Sequence, residues 1–151
     1  MRISENDMLE LIAFTLGDQA FCVEVMSVRE IRSWTPATIL PHSPGYVRGV
    51  INLRGTVLPV MDLSLRLGMA PAEPTEEHVI IVTQIGTQIV GLLVDSVSDI
   101  LAVPASDIHP APDVSKNMDR DLIRGMLPMD DRMISFIQLD ALFVSIESEA
   151  A

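Results

Sequence analysis

Arg48 to Leu63 is RGVINLRGTVLPVMDL, and Arg124 to Leu139 is RGMLPMDDRMISFIQL; the second stretch repeats the first at a constant offset. In each, an Arg-Gly pair opens an apolar run. A polar turn interrupts it, Asn52-Leu53-Arg54-Gly55 in one copy and Asp130-Asp131-Arg132 in the other, and a second apolar run ends in Asp62-Leu63 or Gln138-Leu139. Two apolar runs around a short polar turn make a β-hairpin pattern.

An earlier pair repeats as well. LGDQAFCVEVMSVREI, from Leu16, aligns with IGTQIVGLLVDSVSDI, from Ile85, and Gly17/Gly86, Gln19/Gln88, Val25/Val94, Ser27/Ser96, Val28/Val97 and Ile31/Ile100 are kept, with Glu30 answering to Asp99. Each copy turns at a glycine, the residue that supplies a positive φ most easily. Each half therefore reads as a hairpin, a short helical or turn segment, and a second hairpin.

Strands are expected over 9–16, 20–25, 37–40, 47–53 and 56–61 in the first half, and over 78–85, 88–94, 123–129 and 133–138 in the second. The spacing of Met26, Val28 and Ile31 suits a short helix over Val25–Ser33, and Asp95–Ile100 is expected to turn. A helical turn is expected near 63–67 and a short amphipathic helix over Leu139–Ile146. Gly68–Glu77, with Pro71, Pro74 and three glutamates, is the expected linker, so the lobes span 9–70 and 76–146. The fold class is all-β: two small five-stranded barrels from an internal duplication, with short helices including one at the C-terminus. Closure or near-closure removes unpaired strand edges. A lobe of roughly 65 residues buries too little surface to be stable alone, so the two should pack together.

Composition narrows function. The chain has 151 residues, 48% hydrophobic, and a net charge of −11. Met1–Arg66 carries six Arg against seven acids, whereas the remainder carries one Lys and three Arg against fourteen. Such a surface repels phosphate backbones, and no basic stripe offsets it, so nucleic-acid binding is not expected. No run approaches the ~20 apolar residues of a membrane-spanning helix, and nothing resembles a signal peptide, which points to the cytoplasm. One cysteine, Cys22, cannot form an internal disulfide, and within a strand pattern it reads as a small core residue. His42, His78 and His109 have no ligand partner at metal-binding spacing, and no nucleophile elbow, P-loop or dinucleotide fingerprint occurs. Neither an enzyme, a metal nor a cofactor is expected. Asp130-Asp131 reads as turn chemistry rather than an acid/base pair. Arg54 stands out, a charge in a turn between very apolar strands. Glu30 and Arg32 follow the first hairpin.

FTLGDQAFCVEVMSVREI, LPHSPGYVRGVINLRGTVLPVMDL, VIIVTQIGTQIVGLLVDSVSDIL and IHPAPD together resemble a CheW-type chemotaxis coupling domain. The resemblance spans Leu11 to Ile146 as one CheW-like domain. It implies two SH3-like barrels, no catalysis, and a cytoplasmic adaptor joining transmembrane chemoreceptors to the histidine kinase CheA in arrays at the inner membrane. The isolated chain is expected to be a monomer. Carried over residue by residue, Val28 and Glu30 match the kinase-binding surface, and Gly49, Asn52 and Arg54 match receptor-coupling positions. His109, Asp113 and Val114 match a second, ring-forming interface. There the sequence departs from the pattern, which more usually has a basic residue at His109 and a larger aromatic at Val114. No receiver domain is expected beyond Ala151, which sets the chain apart from CheV-type couplers. Two alternatives stand beside this one: an adaptor of a non-flagellar pathway such as type IV pilus motility, and a free-standing SH3-like peptide-binding module. Scarce aromatics, 4% of the chain, weigh against the second.

Overall fold

The computed structural model describes residues 7–110 and 122–142. Among the described residues, ten strands and the short helix α1 follow in order, ahead of a helical turn at 139–142: β1 (Met8–Leu16), β2 (Gln19–Glu24), β3 (Val28–Ser33), β4 (Val47–Leu53), β5 (Thr56–Asp62), α1 (Leu63–Arg66), β6 (Val79–Ile85), β7 (Gln88–Val94), β8 (Ser96–Pro104), β9 (Ile123–Met129) and β10 (Arg132–Ile137). They make two five-stranded sheets, β8-β1-β2-β10-β9 and β3-β6-β7-β5-β4. Advancing every strand number of the first sheet by five, or returning it by five, reproduces the second. The duplication therefore survives in three dimensions, strand for strand.

It survives by exchange. The hairpin β1–β2 of the first half sits in a sheet with β8, β9 and β10 of the second, and β6–β7 sits with β3, β4 and β5 of the first. The expected boundaries 9–70 and 76–146 therefore do not coincide with the sheets, each of which draws on both halves. In each sheet the exchanged hairpin meets its neighbour through a parallel pairing, β2 with β10 and β7 with β5. Gly17 and Gly86, at φ 60° and 61°, turn the two exchanged hairpins.

The exchange explains why those hairpins are so apolar. Leu11, Ala13 and Cys22 belong to a cluster with Leu127, Ile134 and Phe136 within the first sheet. Ile80, Val82 and Leu93 do the same with Ile51, Leu58 and Val60 in the second. On their opposite faces, Phe14, Phe21 and Val23 pack against Met61, Ile81 and Leu92 to form the core between the sheets. A strand buried on both faces needs a near-continuous hydrophobic run instead of an alternating one. The Phe14 and Phe21 rings stack at 6.1 Å within this shared core. Where the chain crosses from the second sheet to the first, Asp95 pins the junction, its amide donating to the Thr15 carbonyl and its carboxylate accepting from the Gly17 amide at 2.8 Å.

Three local expectations are corrected. Only Val25–Ser27 is helical, a 3₁₀ turn, and Val28–Ser33 is strand β3 paired with β6. Its alternating half-buried and exposed residues suit a strand edge, and apolar residues three apart fit either structure until a partner decides. Likewise 96–100 is not a turn but the start of β8, paired with β1. The strand expected at 37–40 is reduced to a single bridge between Thr38 and Val50. At the C-terminus a helical turn covers 139–142; the rest of the expected helix lies outside the described residues.

Candidate functional site

Strand β3 and the β4–β5 hairpin lie at opposite edges of the second sheet, yet their side chains meet. Arg54 Nη2 donates to Glu30 Oε2 at 2.6 Å, and Arg32 Nη1 reaches Glu30 Oε1 at 3.3 Å. The sheet has curled until its edges are joined by an ion pair. The turn that presents Arg54 is built locally: Arg54 is left-handed at φ 50°, Gly55 follows at φ 89°, and Asn52 Oδ1 accepts the Gly55 amide at 2.9 Å. Asparagine holding its own turn in this way is an Asx-type device. Asn52 thus shapes the turn, and Arg54, with 67% of its side chain exposed, projects from it.

The ion pair sets the local electrostatics. The Arg54 hydrogen bond, with a smaller contribution from Arg32, holds the Glu30 carboxyl below the usual glutamate range against the opposing effect of desolvation. Glu30 in turn raises the Arg54 guanidinium. Val28, two residues before Glu30, packs its half-buried side chain against the core between the sheets.

Gly49 makes no surface of its own. It is buried at φ 143°, and a Cβ there would collide with the carbonyl of Thr38. The close approach lets Thr38 and Val50 exchange two backbone hydrogen bonds, at 2.9 and 2.8 Å, which lay the extended segment 34–40 along β4. The second copy repeats the device: His109 and Met126 exchange bonds of 2.8 and 2.7 Å beside Gly125. His109 is exposed beside that bridge; Asp113 and Val114 lie outside the described residues. The structure therefore brings Glu30 and Arg54 into contact, puts Gly49 and Asn52 in the scaffold that presents Arg54, and leaves His109 in the other sheet.

Sequence reasoning passed over two arginines. Arg48 donates through Nη2 to Asp62 at 3.2 Å and also to the Ala72 carbonyl. Asp62 is only 1% exposed, and it also accepts the Leu65 amide, capping α1, and the Ala72 amide. This carboxylate fastens the 70–72 segment to the second sheet. Arg124, the repeat counterpart of Arg48, bonds instead to Glu24 at 2.5 Å and lies over the Phe136 ring. It borders a cavity of about 740 Å³ beside the sheet junction, together with Met8, Met26 and Ile85. The repeated Arg-Gly pair was the available signal for both.

Among the described residues no group of three or more His, Cys, Asp and Glu side chains is arranged to hold a metal ion, and no helix is long and apolar enough to cross a membrane. Cys22 is fully buried in the first sheet, and desolvation pushes its thiol up to about 12, so little thiolate is present at neutral pH.

A CheW-like domain model matches residues 10–147. The chain is 62% identical over 142 residues to the probable chemotaxis protein CheW of Rhizobium etli, covering 94% of this chain and 92% of that protein. It is 60% identical over 146 residues to the chemotaxis protein CheW of Rhizobium meliloti, covering 97% and 94%. The crystal structure of the scaffolding protein TtCheW from Thermoanaerobacter tengcongensis superposes with a TM-score of 0.81 at 29% identity, covering 92% and 90%. With a domain match over nearly its whole length and the same two-sheet architecture, this chain belongs to the CheW-like family of chemotaxis scaffold proteins.

Proposed function

We propose that the chain is a non-catalytic adaptor coupling chemoreceptors to the histidine kinase CheA, acting in the cytoplasm within receptor arrays at the inner membrane. Val28 and Glu30 are assigned to the kinase face, Gly49, Asn52 and Arg54 to receptor coupling, and His109, Asp113 and Val114 to a second contact that closes rings. The isolated chain is a monomer in this proposal. The observation that carries it is the Glu30–Arg54 ion pair. It links a residue of the kinase face to one of the receptor-coupling turn, so a partner that draws on either side chain alters the other's hydrogen bonding. Adaptors need such coupling between distinct rigid surfaces, because an effector at one site acts on another only through a difference in free energy that both share.

Reconstitution tests this. Receptor-containing membranes, the kinase and this chain are combined, and kinase phosphorylation is followed with and without attractant. Receptor control of the kinase should require the chain. A chain that binds neither partner, or a kinase response identical without it, would overturn the proposal.

A further inference from the structure

A cleft of about 540 Å³, with neither Glu30 nor Arg54 in its wall, lies on the second sheet between the 34–40 segment, β4 and the linker. Its wall includes Trp34, Pro36, Ile39, Val47, Arg48 and Pro71. Trp34 is the only tryptophan in the chain, and here it lines an opening instead of being wholly enclosed in the core. Ile39 is 80% exposed, a large aliphatic side chain left in water at the rim. A half-open site with one tryptophan, one arginine and aliphatic neighbours has the residue types that dominate protein-binding energetics.

The charges select the occupant. The Arg48 guanidinium is matched by the Asp62 carboxylate, so the cleft carries no net charge that would call for an anion. Donor capacity nevertheless remains: the Asp62 and Ala72 bonds both use Nη2, and 28% of the side chain is exposed. A charge-compensated donor beside an apolar wall suits a neutral acceptor such as a peptide carbonyl. Extended proline-containing segments offer that combination, with carbonyls unpaired in the free chain and rigid apolar rings that lose little entropy on docking. We propose that this cleft binds a short, uncharged, proline-containing peptide segment of a partner protein, the peptide packing on Trp34 and Ile39 and giving a backbone carbonyl to Arg48. Sparse aromatics rule out a row of pockets; a single tryptophan supports a single one.

Trp34 is also the reporter. The full chain is titrated with a capped, uncharged peptide, acetyl-Pro-Pro-Leu-Pro-Pro-Leu-amide, while tryptophan emission is followed. A capped Gly-Ser peptide of equal length and the proline peptide with a free C-terminal carboxylate serve as comparisons. A saturable shift with the capped proline peptide is expected, with a Kd at or below about 1 mM, weak as befits a single pocket. Ile39→Asp, at an exposed position, should leave the melting temperature unchanged and weaken binding at least tenfold. No saturable shift by about 5 mM, an equal response to the Gly-Ser peptide, binding only of the free carboxylate, or unaltered affinity in folded Ile39→Asp would each overturn the proposal. The adaptor function stands or falls separately, since the reconstitution reads kinase control without reference to this cleft.

Discussion

Gly49→Ala should damage the protein by moving a neighbour. At φ 143° an alanine is strained, a cost of about 1–3 kcal/mol, and its Cβ would occupy the place of the Thr38 carbonyl. Relief requires the 34–40 segment to withdraw, breaking the two Thr38–Val50 hydrogen bonds at about 0.5–1.5 kcal/mol each. The sum is about 2–6 kcal/mol, or a fall in melting temperature of about 4–24 °C for a chain of this size. Urea denaturation gives the energy, and hydrogen exchange at the Val50 amide gives the location. Receptor coupling should fall in step with the lost Val50 protection. Gly125→Ala is the internal comparison, because φ there is ordinary and the new Cβ would meet Ile108 Cγ2 at 2.6 Å and the His109 carbonyl at 2.8 Å. A rotating isoleucine relieves part of that, so about 1–3 kcal/mol is expected. Undiminished Val50 protection with a loss under about 1 kcal/mol would refute the steric argument.

Asp62→Ala should cost about 3 kcal/mol, the low end for breaking a buried pair, because Arg48 keeps some solvent; Gln138→Ala at the repeat position should cost under about 1 kcal/mol, and urea denaturation compares them. Arg54→Ala should lower the melting temperature only slightly, since the pair it breaks is largely exposed, while abolishing receptor-dependent kinase control; a large loss of stability together with control would make Arg54 structural. Glu30 has a lowered folded pKa, so its contribution is fully present above the ordinary glutamate value of about 4.3 and is lost as pH falls through the folded value. Glu30→Gln should therefore flatten the acid limb of the stability–pH curve, and a limb as steep as wild type would contradict the assigned shift. Val28→Asp should weaken the kinase complex by at least ~2 kcal/mol, with calorimetry on folded protein as the check; unchanged affinity removes Val28 from that face.

The hairpins were legible because each carries its own turn chemistry: Gly17, Gly86 and Arg54-Gly55 stand between runs whose apolar character announces burial. β3 and β8 were not, because their strand conformation is decided by β6 and β1, partners distant in sequence. The exchange of hairpins was hidden for a related reason. A tandem repeat presents the same pattern of faces whether a hairpin joins its own half or the other. At the site, the charge of Arg54 between apolar strands was conspicuous, and Glu30 was named separately; only the curl of the sheet reveals them as a pair. Arg48 and Asp62 escaped because their common purpose is to hold Ala72, a residue in a linker that composition marks merely as irregular.

Reciprocal exchange has a consequence for an adaptor. Two half-repeats that swap hairpins produce two ends of the same architecture, and identical ends would recruit the same partner twice. In the proposed assignment, divergence prevents this at the partner-facing positions. Where the second sheet offers Glu30 and Arg54 as an ion pair, the repeat supplies Asp99 and Asp130, both exposed and both acidic. Asp130 even keeps the left-handed turn backbone of Arg54, φ 54° against 50°, so the scaffold is retained while the sign of the charge is reversed. Juxtaposing like charges penalises a wrong partner more surely than one extra attraction rewards the right one. The preserved backbone supplies rigidity, and the reversed charge supplies polarity. A chain with both can sit between two different proteins in a fixed order.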